Sequence, residues 1–580
     1  MKTSFVQGTK YLWQLPEIDT KSVADLAAYL NLSFPIAQTL LARGFTTKQQ
    51  AESFLFSSYE KDVAHPSLMK DADKAVDRII SAIDRGEKIL VFGDYDVDGI
   101  TSSAMMMICL LPLGAQVNFF LPHRVRDGYG LSVKAVERAA RNNYKVIITV
   151  DNGITAFDPA SKAKELGIDL IITDHHRPHD HVPEAFAVIN PNQHDCPYPF
   201  KTLAGVGVTF KILSLLYERK KLRMPTKAYE LLLLGTIADV VPLLGENRFW
   251  VRYGLSYINK FESNSLKVLK QNGKLAKPLI SATDIGFSIA PQINALGRLE
   301  DARQGVKFLI GSDMREVEEV GKVLLELNET RKQIERSIFV QVQTEIEQKK
   351  IDLDRENVII AASKNWPPGV IGLVASRLVS AYGKPTILFH ITKDGLAKGS
   401  CRSIPEFNMF DALDAHRDII EQFGGHSLAA GLALKLENVP KLKHGLEMLV
   451  AQQLTEFDLT QKIALDAHAR LSDLTKKFMA DMQHLEPFGN ENRSPAFLIN
   501  DVTLVEKPKL LKDLHVKCSV FADGVIKPLM FFNRPELFEQ FMACEQEPFS
   551  VAAHISENHW NGHVNIELTG IDVSFKKAGI

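Results

Sequence analysis

Lys88-Ile89-Leu90-Val91-Phe92-Gly93-Asp94-Tyr95-Asp96-Val97-Asp98-Gly99 opens as a short apolar run and ends in three carboxylates at alternate positions. The same grammar recurs twice. Val146-Ile147-Ile148-Thr149-Val150 runs into Asp151-Asn152-Gly153, and Leu170-Ile171-Ile172-Thr173 runs into Asp174-His175-His176. Continuous apolar runs suit strands buried on both faces, as in a parallel sheet. Ligands of open α/β sheets bind beyond the carboxyl ends of the strands, so three such strands bring their acidic tips to one crevice. The reading is a doubly wound parallel sheet with a metal site at its rim.

Outward from this stretch, helix-like runs at Ala72 to Arg85, from Thr101, and at Ser132 to Asn142 alternate with strand-like runs at Ile89 and Val117. That alternation places an α/β domain at 76–255. Residues 1–75 hold short helical patterns with Tyr11, Trp13 and Phe54 and no chemical cluster, and are expected to be a packing extension. A helical connector fills 256–355. Within it Val317, Val320, Leu324, Leu327, Ile334, Ile338 and Val342 recur at spacings of mostly three, four and seven, interrupted only by Gly321. A helix over 314–350 would run about 55 Å, long enough to act as a strut between domains. A second, smaller α/β unit is expected at 356–455, with strands at Val358-Ile359-Ile360 and Pro385 to Phe389, and helices at Gly369 to Tyr382 and Asn408 to Gln422. The last domain is expected at 456–580, where after about residue 497 the pattern changes to alternating strands such as Val516-Lys517-Cys518-Ser519-Val520, read as a small β-barrel.

At 580 residues the chain is too long for one core, and its 45% hydrophobic content can fill several. Lysine and arginine total 68 against 70 aspartates and glutamates, so any nucleic-acid surface has to be a local patch. The five cysteines, Cys109, Cys196, Cys401, Cys518 and Cys544, are widely spaced and never form Cys-x-x-Cys. This argues against a zinc knuckle or a disulfide framework and fits a reducing, cytoplasmic setting. The N-terminus lacks the basic start and apolar core of a signal peptide. The most membrane-like stretch, Ala104 to Leu121, is broken by Pro112, Gly114, Gln116 and Asn118 and reads as a buried helix followed by a strand. No membrane contact is expected.

Asp94, Asp96 and Asp98 resemble a calcium loop only superficially, since the twelfth position, counted from Asp94, is Met105 rather than a glutamate. Hard carboxylate oxygens with imidazole suit Mn²⁺ or Mg²⁺. So many carboxylates in one pocket would repel one another without cations, which predicts two ions with Asp151 bridging them. A fourth acidic tip stands in Ile237-Ala238-Asp239-Val240-Val241-Pro242, where an apolar setting makes an unpaired aspartate costly.

The series GDYDVDG, VDNG, TDHH and IADVV, in this order, resembles the DHH phosphoesterase superfamily. With Asn190-Pro191-Asn192, Leu203-Ala204-Gly205-Val206-Gly207-Val208 and Leu485-Glu486-Pro487-Phe488-Gly489-Asn490, the resemblance narrows to its RecJ family of single-strand-specific 5′→3′ DNA exonucleases. It implies a DHH domain, a DHHA1 domain and a C-terminal OB-like barrel, acting in DNA recombination and repair. Carried over by position, Asp94, Asp96, Asp98, Asp151, His175 and Asp239 hold two divalent ions, with Mn²⁺ the expected ion and Mg²⁺ the alternative. Asp98, Asp151 and His176 are the expected catalytic groups, His176 facing the scissile phosphate. Ser400, Arg402 and His426, in Lys398-Gly399-Ser400-Cys401-Arg402-Ser403 and Phe423-Gly424-Gly425-His426, are expected to grip phosphate, with Arg124 and Arg298 as further contacts. Lys507, Lys509, Lys512 and Lys517 of the barrel, near Phe531, Phe532 and Trp560, offer a path for a single strand. Phe531 and Phe532 are adjacent, so on a strand only one can face a groove.

Two positions depart from the family pattern. Gln292 stands where an arginine is common, and Pro367 follows Trp366 where a histidine is common. The substrate implied is single-stranded DNA, acted on by a monomer, with a single-strand-binding protein and a RecQ-type helicase as collaborators. The rival readings are a DHH phosphodiesterase for short oligonucleotides, cyclic dinucleotides or pyrophosphate, which leaves the barrel unexplained, and a non-catalytic repair or replication scaffold, which would show broken acidic positions.

Overall fold

The computed structural model describes residues 4–17, 19–123, 126–128, 130–544, 547–560 and 563–575. It divides into two compact units, one of Glu52–Thr330 with Leu485–Arg493, the other of Met1–Ala51, Arg331–His484 and Ser494–Ile580.

The first unit is built on a parallel sheet of five strands in the order Gln116–Phe120, Lys88–Phe92, Tyr144–Val150, Asp169–Thr173, Ala187–Ile189. Alternate residues of each strand feed opposite faces. Ile89, Val91, Val146, Ile148 and Ile171 pack under helices Ala72–Asp84, Val97–Leu110 and Gly205–Arg219. Leu90, Phe92, Ile147, Leu170 and Ile172 face Val136, Ala139, Ala160 and Ala163 of helices Val133–Arg141 and Phe157–Glu165. Burial of each such aliphatic side chain is worth about 1.5–3 kcal/mol, which explains why the strands are apolar on both faces. The stretch from Ala104 to Leu121 divides into the end of helix Val97–Leu110 and strand Gln116–Phe120, and among the described residues no helix is long and apolar enough to cross a membrane.

Asp239 does not end a strand. It caps the C-terminus of helix Lys227–Ala238, whose residues from Leu231 to Thr236 are all buried. A helix buried all round shows no amphipathic stripe, so its apolar run imitates a buried strand. The long helix spans Met314–Glu347. Gly321 sits inside it because a Cβ there would collide with Val268.

In the second unit, strands Gln422–Gly425, Ala429–Lys435, Leu396–Arg402, Thr386–Ile391 and Ile359–Ser363 form a mixed sheet in that order. The helix expected from Asn408 to Gln422 is limited to Met409–Asp414, and Gln422–Gly425 pairs with Ala429–Lys435 instead. Ile420 is buried in the core of this sheet, so the apolar residues that extended the helical pattern belong to the turn into a strand.

The C-terminal strands Phe497–Leu504, His515–Ala522, Val525–Phe531, His563–Ser574 and Phe549–Trp560 close into a barrel through the pairing of Thr503 with Phe521. Helix Leu537–Cys544 lies between its third and fourth strands in chain order, the arrangement of an OB-fold. The N-terminal strands Phe5–Gln7 and Leu12–Gln14 join Lys462–Ala464 beside it. Buried Asp572 accepts hydrogen bonds from Thr9 Oγ1 at 2.5 Å, Tyr11 N at 3.0 Å, Trp13 Nε1 at 3.0 Å and Arg534 Nη2 at 3.2 Å. One carboxylate thus ties the start of the chain to its end.

Candidate metal centre and phosphate-binding residues

Strands Lys88–Phe92, Tyr144–Val150, Asp169–Thr173 and Ala187–Ile189 deliver polar groups at their carboxyl ends. After Lys88–Phe92 the chain turns through Gly93 into helix Val97–Leu110, which Asp96 caps by accepting from Gly99 N at 3.1 Å. Gly99 is required there, because a Cβ would lie 2.5 Å from the Asp94 backbone. Asp98 in the first turn is 1% exposed, and its two oxygens accept from Gly205 N at 2.6 Å and Val206 N at 2.7 Å, the start of helix Gly205–Arg219. A helix N-terminus stabilises the negative charge it meets. Asp151 takes φ +63°, a left-handed conformation rare for a side chain other than glycine, asparagine or aspartate and a frequent mark of a functional site.

These turns gather the acidic groups. His175 Nε2 lies 3.2 Å from Asp151 Oδ1, 3.5 Å from Asp239 Oδ2 and 4.0 Å from Asp98 Oδ2. Ligand-capable atoms of Asp94, Asp96 and Asp151 lie within 4.8 Å of one another, as do those of Asp98, His175 and Asp239, and those of Asp151, His175 and His176. Asp151 and His175 are each shared between two groups. Burial and then the charge of Asp96 push the Asp98 carboxyl up to about 7. Burial followed by neighbouring carboxylates raises Asp151 and Asp239 well above the ordinary range, and burial lowers His175 to about 4. Asp151 Oδ1, His175 Nε2 and Asp239 Oδ2 are buried with no hydrogen-bond partner among the described residues. Buried polar atoms without partners are costly, and cations would satisfy all three at once. The donor set, hard oxygens with one imidazole nitrogen, fits a divalent ion of the Mn²⁺ or Mg²⁺ kind.

Asp174 has a different part, which its sequence position does not disclose. It is 1% exposed and accepts from Ile154 N at 2.9 Å, His175 N at 2.7 Å, His176 N at 3.0 Å and His176 Nδ1 at 2.7 Å. Burial opposes the His176 charge, but the Asp174 hydrogen bond and the acidic surroundings outweigh it and raise the imidazole to about 9. Asn190 Nδ2 donates to His176 O at 2.8 Å and Asn192 Nδ2 to His175 O at 2.6 Å, fixing the two-histidine turn from the neighbouring strand. Ala187-Val188-Ile189-Asn190 repeats the pattern of an apolar run ending in a polar tip, which is the signal that could have found Asn190.

Arg298, on helix Ala290–Leu299, lines a pocket of about 160 Å³ with Asn294, Gly297, Tyr95, Asp96 and Ala238, adjoining the acidic cluster. Gln292 on the same helix is 1% exposed and donates to Leu269 O at 3.0 Å and Ser288 O at 2.6 Å, so this departure serves the core. Trp366 is buried and donates to Gln341 at 2.9 Å, while Pro367 caps helix Pro368–Tyr382. Arg124 and the Trp560 side chain lie outside the described residues.

In the second unit, Arg402 Nε donates to Ser376 Oγ at 3.0 Å and Nη1 to Ser400 Oγ at 3.3 Å, with no carboxylate paired to it among the described residues. Burial lowers its pKa, so an anion would be welcome. His426 is exposed at the turn between strands Gln422–Gly425 and Ala429–Lys435. Lys507, Lys509, Lys512 and Lys517 are all exposed, and Lys509 stands directly opposite Lys517 across paired strands. Like charges in that position repel, and Glu506, 3.7 Å from Lys509 Nζ, offsets part of that repulsion. Phe531 is buried, whereas Phe532 is 54% exposed beside His515, so a single ring of the pair faces out.

The parallel sheet with acidic strand tips and the mixed α/β sheet are those of a DHH-family protein, to which the barrel is added. Residues 88–236 match the DHH family N-terminal domain, 355–452 the DHHA1 domain and 465–572 the RecJ OB domain. The single-stranded-DNA-specific exonuclease RecJ of Bacillus subtilis is 37% identical over 564 residues, covering 97% of this chain and 70% of the relative. The crystal structure of Thermus thermophilus RecJ with Mn²⁺ superposes at a TM-score of 0.83 with 28% identity, covering 98% of this chain and 80% of that one. Its Mg²⁺ complex gives 0.75 and 25%, covering 98% and 79%. The chain belongs to the RecJ family of single-stranded-DNA-specific exonucleases.

Proposed function

We propose that this protein degrades single-stranded DNA from its 5′ end by hydrolysing phosphodiester bonds, in recombination and repair. The observation that carries the reading is the nest of buried carboxylates around His175, with oxygen and nitrogen atoms that have no hydrogen-bond partner among the described residues, in a chain 37% identical to a single-stranded-DNA-specific exonuclease.

Asp94, Asp96, Asp98, Asp151, His175 and Asp239 would hold two divalent ions, Mn²⁺ in preference to Mg²⁺, with Asp151 between them. Such ions, when bound, polarise phosphoryl oxygens and lower the pKa of water. The remaining work falls to the chain. Asp98, locked by two backbone N–H donors, and Asp151, fixed by its left-handed turn, keep the cluster organised before substrate arrives. His176, its Nδ1 hydrogen-bonded to Asp174, would serve as the proton donor toward a scissile phosphate or leaving oxygen. Arg298 at the adjoining pocket and Arg402 with Ser400 and His426 supply phosphate contacts, Arg402 as a planar fork suited to two oxygens. Lys507, Lys509, Lys512 and Lys517 would track the backbone while Phe532 stacks on a base. Cysteine usage supports a cytoplasmic setting, and family resemblance adds a monomeric state and collaboration with a single-strand-binding protein and a RecQ-type helicase.

Direction is tested with single strands bearing a 5′-phosphate and a blocked 3′ end, against strands blocked at the 5′ end with a free 3′ end. The reading expects rapid loss of the first and survival of the second; equal degradation of both overturns 5′ entry.

A further inference from the structure

The residue after Asp239 is strained. Val240 takes φ +60° as the chain leaves helix Lys227–Ala238. Glycine normally fills this position, and for a β-branched residue it is a true outlier. Its side chain is 63% exposed, so packing of the side chain does not hold the turn.

The backbone is held from a distant part of the chain. Asn490 Nδ2 donates to Val240 O at 2.7 Å, and Asn490 O accepts from Leu243 N at 2.9 Å. The two bonds bridge residues 240–243. The segment that carries Asn490 is stapled to the same unit: Arg248 Nη1 donates to Leu485 O at 3.0 Å, and buried Asn492 donates through Nδ2 to Leu485 O and Pro487 O at 2.8 Å each. Gly489 lets it close, since a Cβ there would lie 2.5 Å from Leu243 Cδ1.

We infer that Asn490 is a positioning residue for Asp239: by clamping the strained Val240 turn it holds the Asp239 carboxylate, 3.5 Å from His175 Nε2, where a cation is to bind. This rests on the reading of Asp239 as a metal ligand. An exposed valine left to itself relaxes out of the left-handed region, and relaxation at the helix C-terminus carries Asp239 with it. The clamp acts across 250 residues of sequence.

The test is calorimetric titration of Mn²⁺ into metal-stripped protein, with thermal melting alongside, for Asn490→Ala, Val240→Gly, the double variant and Asp239→Asn. Asn490→Ala is expected to weaken Mn²⁺ binding by about five- to tenfold, the equivalent of one lost hydrogen bond. In the Val240→Gly background the same change should weaken it by less than about twofold, because glycine adopts the left-handed turn without strain. A merely structural role would lower the melting temperature equally in both backgrounds and leave that difference in Mn²⁺ affinity absent. If Asn490→Ala does not fold, Asn490→Asp removes the Nδ2 donor at nearly the same size and is compared in the same two backgrounds. Wild-type Mn²⁺ affinity in the Asn490 variant, or an equal loss in both backgrounds, overturns the clamp. Unchanged Mn²⁺ affinity in Asp239→Asn overturns instead the ligand reading on which it stands.

Discussion

Replacing Asp174 with asparagine should separate the positioning of His176 from the integrity of the acidic cluster. In the wild type, Asp174 Oδ1 takes three donors and Oδ2 takes Ile154 N at 2.9 Å. An asparagine that keeps its oxygen on the three-donor side turns its NH₂ toward Ile154 N–H, donor against donor. Leaving that buried N–H unpaired costs about 1–3 kcal/mol, and the other three bonds lose their charge assistance. A total loss of about 2–4 kcal/mol is expected, within the 5–15 kcal/mol typical of a domain, so the protein should fold with a lower melting temperature. The functional effect is larger. Without the carboxylate, the His176 pKa should fall from about 9 toward the ordinary imidazole value of 6.5. At pH 8 the imidazolium fraction would drop from roughly nine-tenths to a few hundredths. NMR titration of the His176 ring in metal-free protein reads this directly, and single-strand hydrolysis by Asp174→Asn should be about tenfold or more below wild type at pH 8, recovering as pH falls toward 6.5. A folded Asp174→Asn protein with His176 still titrating near 9, or with an unchanged pH profile, would refute the argument.

Metal-free protein should lose stability as pH rises from about 4 to about 7. Asp98, held near 7 in the fold against 3.8 outside it, keeps a proton that the unfolded chain releases across that window, a difference of up to about 4 kcal/mol. Asp151 and Asp239 are raised in the same sense, and the three together outweigh His175, which is lowered to about 4 and acts in the opposite sense. Melting curves across this range should therefore shift downward, and added Mn²⁺ at pH 7.5 should restore the loss. Arg402→Lys, which replaces a planar fork by a point charge, should raise KM for 5′-phosphorylated strands about tenfold with little change in kcat, measured by steady-state kinetics. Asp572→Ala should lower stability by about 2–5 kcal/mol in denaturant melts, because Trp13 Nε1, Tyr11 N and Arg534 lose one buried acceptor together.

The acidic cluster is legible because its strands are buried on both faces. Ile147 and Ile148 point to opposite sides yet both must be apolar, so the acidic tips stand out against an unbroken run. The same rule misplaced Asp239 on a strand, since a helix with Leu231 to Leu234 all buried is as apolar as a strand. The sequence offered Asp174, His175 and His176 as three adjacent polar residues, and only the backbone turn assigns the first as acceptor for the last. Phe531 and Phe532 were correctly limited to one outward ring, but which ring depends on register, and Phe532 is the exposed one. The bond from Asn490 to Val240 leaves no local pattern at all, because it joins two turns through tertiary packing.

The most direct test of the account follows mononucleotide release from one labelled single strand, offered linear, ligated into a circle and annealed as a blunt duplex, with Mn²⁺, for wild type and Asp151→Asn. The account predicts that wild type digests the linear strand alone and that folded Asp151→Asn digests none of the three. Release from the circle or the duplex at the linear rate, or normal release by Asp151→Asn, would contradict it.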